Sequence, residues 1–133
     1  MRFSPFFIAI FAALSIGSIA NAQEAARTPL DSPLELSGQT GGPRLSACGH
    51  IDPDAGQTIQ VTEPFTSLSF KVESEGDYTL LITGPDGFRE CVFARNYDDG
   101  GIEAPGLLTR GDYQVFVGDR KGESHPYTMS VSQ

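Results

Sequence analysis

Cys48, His50 and Asp52 place a thiol, an imidazole and a carboxylate within five residues. Such a group could ligate a divalent ion, but a closed zinc site needs four ligands and the usual paired spacings are absent. Nucleophilic catalysis has little more support: His50 and His125 are the only histidines, and no Gly-x-Ser-x-Gly elbow is present. Seventeen acidic residues guarantee that some carboxylates lie close together, yet nothing singles out two with separated environments for glycoside hydrolysis. The chain therefore reads as a non-enzyme; a hydrolase using His50 or the acidic loops would have to lose turnover on His50→Ala. Calcium is the inorganic partner these residues would suit. Asp52-x-Asp54-x-Gly56 and Asp98-Asp99-Gly100 are acidic turns offering hard oxygen ligands, with Asp52, Asp54, Asp98 and Asp99 as the candidates. Neither has the length or terminal Glu of a helix-loop-helix calcium loop, so solvated turn carboxylates are the simpler reading, and no other cofactor is indicated.

The N-terminus decides the compartment and hence the state of the cysteines. Arg2, the apolar run Phe6–Leu14 and the small residues ending Ala20-Asn21-Ala22 have the form of a secretory signal peptide, residues 1–22. The apolar run is too short for a membrane span, so no membrane insertion is expected after cleavage. A secreted or periplasmic location oxidises thiols, and a single Cys48–Cys91 disulfide follows. Closing a loop of 43 residues would remove unfolded-state entropy worth about 4 kcal/mol. The 133-residue chain carries a formal charge of −8, which opposes nucleic acid and anionic membrane surfaces. After the leader there is length for one modest core.

Residues 23–33 are polar, carry Pro29 and Pro33, and read as a flexible leader onto a domain spanning residues 34–133. Within that domain the phrase Gly-Asp-Tyr occurs twice, at Gly76-Asp77-Tyr78 and Gly111-Asp112-Tyr113, thirty-five residues apart, and a third run opens on Tyr127. Alternate positions read Tyr78/Leu80/Ile82, Tyr113/Val115/Val117 and Tyr127/Met129/Val131, the period-two pattern of half-buried strands with the aromatic entering the core first. Leu68, Phe70 and Val72 alternate likewise with Ser67, Ser69, Lys71 and Glu73. About eight short strands at roughly ten-residue spacing, without a convincing helix, predict an all-β antiparallel sandwich of jelly-roll or immunoglobulin-like type.

The repeat also disposes of a tempting motif. Arg110-Gly111-Asp112 spells an adhesion tripeptide, but Glu75-Gly76-Asp77 holds the same register in the first copy. Gly-Asp is thus a corner device, with Gly76 and Gly111 taking a conformation other residues avoid and each Asp bonding nearby amides. Tyr78, Tyr113 and Tyr127 are structural, rings buried and hydroxyls sent to backbone partners. The departures from the pattern are Leu81 and Phe116, apolar where the outward face should be polar. They are covered by a loop, by the leader or by self-association into a homo-oligomer, or they form a ligand-binding patch. The loop Asn96, Tyr97, Asp98 and Asp99 is the other candidate binding site.

In its order of motifs the chain resembles the pre-peptidase C-terminal domain, a bacterial β-sandwich appended to secreted proteases, and more closely small stand-alone secreted relatives of it. The likeness rests on Cys48-Gly49-His50-Ile51 with Pro53-Asp54, Asp77-Tyr78-Thr79-Leu80, Pro85-Asp86-Gly87, Cys91, an Asp-Asp pair and residues Gly111–Gly118. It covers roughly Arg44 to Val131. Val92–Tyr97 separate Cys91 from Asp98-Asp99, where the relatives tend to place the pair directly after the cysteine, and Phe116 stands where they often carry Trp. The resemblance implies an accessory or binding role outside the cytoplasm and no reaction. The expected partner is an extracytoplasmic protein or glycan. The alternatives are an inhibitor or chaperone-like partner of another exported protein, or a calcium-stabilised adhesion protein.

Overall fold

The structure is a computed structural model; it describes residues 26–94 and 102–133, and the backbone alone at 103–107. Eleven short strands are found among the described residues: β1 Ala26–Arg27, β2 Leu34–Gln39, β3 Arg44–Ser46, β4 Gly49–Ile51, β5 Gln57–Val61, β6 Thr66–Glu73, β7 Tyr78–Thr83, β8 Arg89–Phe93, β9 Ile102–Leu108, β10 Gly111–Asp119 and β11 Pro126–Ser132. They form two sheets. One is four-stranded in the order β2-β11-β6-β9. The other is seven-stranded and centred on β10, which pairs with β7 along one edge and with β5 and then β4 along the other. All pairings are antiparallel except β1 with β5. The architecture is the expected all-β sandwich. The extra strands arise because the stretch around Cys48 folds back on itself as the β3–β4 pair and because β1 adds an edge.

Periodicity explains the core. All nine inward residues of the three Tyr-led strands, together with Leu68, Phe70 and Val72, lie in a single buried cluster between the sheets. Tyr78 donates its hydroxyl to the Val72 carbonyl (3.2 Å) and Tyr113 donates to the Thr109 carbonyl (2.9 Å), so each ring is buried with its polar tip satisfied. Gly76 and Gly111 sit at φ +80° and +149°, where a side chain is strained. The Asp of the repeat behaves otherwise than expected. The Asp77 carboxylate lies 3.7 Å from the Arg120 guanidinium instead of capping a turn amide, and Asp112 is exposed.

The stretch expected to lead flexibly onto the domain is partly docked. Thr28 is buried, its Oγ1 accepts the Thr62 N–H (3.1 Å), and the Thr62 hydroxyl donates back to the Thr28 carbonyl (2.7 Å). Those two bonds, both donated by Thr62 to Thr28, with the β1–β5 ladder, satisfy backbone groups that a free leader would leave to water. Residues 1–25, which include the signal-peptide reading, lie outside the described residues.

Candidate functional site

Leu81 and Phe116 are register partners on the outer face of the larger sheet, and they are 1% and 8% exposed. With Cys48 and Ile51 they form a second buried cluster, against which Cys91 packs. The cover is the chain segment running through β4 to Gly56. The Cys48–Cys91 disulfide ties it to β8, and the Thr79 hydroxyl donates to the Cys48 carbonyl (2.6 Å). At Gly56 the fit is close enough that a β-carbon would stand 2.5 Å from the Phe116 ring. Of the alternatives the sequence leaves open for these residues, cover by a loop is what the structure holds, and the apolar pair is the floor of a stapled flap.

The acidic candidates separate. Asp52 accepts the Asp54 N–H on its Oδ1 (3.0 Å) and the Ala55 N–H on its carbonyl (3.1 Å), the bonding of a turn-forming aspartate. Asn96, Tyr97, Asp98 and Asp99 lie outside the described residues. Among the described residues the one group of three or more metal-ligating side chains is Asp119, the last residue of β10, with Glu123 and His125 of the loop that follows. No motif spacing drew attention to it, because Asp119 is the last residue of a strand and reads as a turn former.

The run from Phe65 to Val72 predicts a strand that starts at Phe65, but β6 starts at Thr66 and leaves Phe65 outside it. Phe65 is 77% exposed and holds φ +59°, between Pro64 and the start of β6. The left-handed region costs a residue with a bulky side chain about 1–2 kcal/mol, and the position after Pro in such a turn normally takes Gly or Asn. Asp86 also has positive φ, but Asp tolerates it, whereas Phe does not do so readily. The turn is braced by the Thr66 hydroxyl donating to the Glu63 carbonyl (2.7 Å) and by the Thr62–Thr28 bonds. Counting in twos from Leu68 puts Thr66 inside and Phe65 outside with Ser67, so parity alone marks the ring as outward.

The same end of the sandwich carries the β9–β10 turn, since Val61 pairs with Gly111 and Thr66 with Leu108. There an open groove of about 420 Å³ is lined by Gln60, Val61, Thr62, Arg110, Gly111 and Asp112. An aromatic ring, a guanidinium and a carboxylate thus stand exposed at one end. Ile102, three residues after Asp99 in sequence, pairs with Val72 toward the other end of β6.

Compared with solved structures, the chain has the fold of the pre-peptidase C-terminal domain. It aligns with that domain of the collagenase from Bacillus anthracis at a TM-score of 0.53 and 16% identity, over 82% of this chain and 95% of the other. The periplasmic inhibitor of g-type lysozyme from Aeromonas hydrophila aligns at a TM-score of 0.46 and 16% identity, over 81% and 94% of the two chains. No protein-family model matches. In sequence the chain is 33% identical to an uncharacterized protein of Synechococcus elongatus over 134 aligned positions, 96% of each chain, and it belongs to the same family as that protein.

Proposed function

We propose that this protein is an exported, non-catalytic binding module that grips another extracytoplasmic protein through the end of the sandwich bearing Phe65 and Arg110. The observation that carries the reading is Phe65: a large aromatic held in solvent at a strained backbone position, on a turn braced from both sides. Strain and exposure both oppose folding, and their coincidence at one residue marks a site kept for something other than stability. An exposed aromatic and an exposed arginine on two turns at the same end of the sandwich are the residue types of an interface hot spot, where a few such residues supply most of the binding energy. A glycan platform is the lesser fit, because a single ring offers little stacking area and the chain has no Trp. The disulfide supports an oxidising compartment, in keeping with an N-terminal signal peptide. An inhibitor of an exported enzyme is one form this function takes, with the Phe65 turn as the inserted element.

The test is site-specific photo-crosslinking in the exported full-length protein, with the photoreactive residue at position 65, 97 or 45. The expected result is one protein adduct from position 65, competed by unlabelled protein and weakened by Arg110→Ala. Leu45, exposed on an edge strand, serves as control. Adducts from position 97 alone would move the site to the Asn96–Asp99 loop. Equal labelling from all three positions, or glycan-array binding in place of a protein adduct, would contradict the proposal.

A further inference from the structure

Asp119 closes β10 and is 0% exposed. Its Oδ1 accepts the N–H groups of Lys121 (2.8 Å) and Glu123 (3.2 Å), which wraps the following loop around the carboxylate. The wrap brings Glu123 and His125 back over it. His125 is then fixed by its own backbone, whose N–H donates to Thr40 Oγ1 (2.9 Å) and whose carbonyl accepts the Thr40 N–H (2.7 Å). One ligand atom from each of Asp119, Glu123 and His125 lies within 4.8 Å of the others, and His125 Nε2 stands 2.9 Å from Glu123 Oε2.

The second oxygen of Asp119 supplies an independent observation. Oδ2 is buried and, among the described residues, has no hydrogen-bond partner. Buried carboxylate oxygens are nearly always satisfied, so an orphan in a well-bonded loop asks for a ligand. It faces the right place: a β-carbon built on Gly76 would sit 3.3 Å from Asp119 Oδ2 and 2.9 Å from His125 Nε2, so both atoms look onto the same bare glycine. Arg120 does not neutralise this carboxylate, since its guanidinium lies 3.7 Å from Asp77 and over the Phe93 ring.

We infer that Asp119, Glu123 and His125 form a binding site for a single divalent transition-metal ion of the zinc class, with Asp119 as its buried anchor. Two carboxylates and one imidazole suit a borderline ion, while calcium takes oxygen ligands and makes poor use of the histidine. Three protein ligands leave a position for water or for a group from a partner. His50 packs against the same loop, with its ring 3.3 Å from where a Gly122 β-carbon would stand, but it does not belong to the ligand group.

The test is a zinc titration of the exported full-length protein, stripped with chelator and competed against a chromophoric zinc indicator. One equivalent should bind. Removing a direct ligand by His125→Ala should weaken binding by at least about tenfold, the lower range for even an outer partner of a metal site. Glu123→Gln should weaken it too, and both residues lie far enough toward the surface to be changed without unfolding. His50→Ala should bind as wild type, and millimolar calcium should not displace zinc. No stoichiometric binding, equal loss from His50→Ala and His125→Ala, no loss from His125→Ala, or displacement by calcium would each overturn the site.

Discussion

Tyr113 shows how much a single residue holds. Its ring is buried, meets Phe88 edge-on at 5.6 Å between centroids, and anchors its hydroxyl on the Thr109 carbonyl at the corner of the sandwich. Tyr113→Ala should cost about 3–5 kcal/mol in chemical denaturation, as for other buried aromatic truncations. Tyr113→Phe should cost only about 1 kcal/mol, the net value of one hydrogen bond; equal losses from the two variants would mean that the ring contributes little. This role was legible in the sequence because it depends on period-two patterning, which is local. The Asp of the same repeat was not legible. Asp77 finds Arg120 at the end of the neighbouring strand, and no turn rule anticipates a partner so distant in the chain.

At the scale of elements, the segment from Cys48 to Gly56 acts as a flap held over Leu81 and Phe116 by the disulfide. Opening the loop of 43 residues by Cys48→Ala with Cys91→Ala should lower stability by about 4 kcal/mol through regained unfolded-state entropy. Any native protein that remains should bind a hydrophobic dye through the uncovered pair. A double variant that melts as wild type and binds no dye would show that the flap is held by packing alone. The sequence marked Leu81 and Phe116 as misplaced but could not say what covered them, because the cover comes from an irregular stretch without periodicity. The docked Thr28 was hidden for the same reason: its bonds run to Thr62, thirty-four residues away.

Taken whole, the molecule places the two proposed sites at opposite ends of β10. At one, the β5–β6 and β9–β10 turns present Phe65 and Arg110; at the other, the end of β10 carries Asp119 beside Gly76. Between them lies the buried cluster of the core. On this account Phe65 is carried at a cost to stability for the sake of binding, and the two effects can be separated in one variant. Phe65→Gly relieves a positive φ worth about 1–2 kcal/mol and gives up almost no buried surface, while the freer unfolded chain takes back roughly 0.5–1 kcal/mol, so stability should be unchanged or slightly raised. The most direct test is to measure, for that variant and wild type together, denaturation and affinity for the protein captured at position 65. Stability raised or unchanged with affinity reduced by at least about tenfold, as for loss of an interface hot spot, is the predicted result; unchanged affinity, or a loss of stability with the ring, would contradict it.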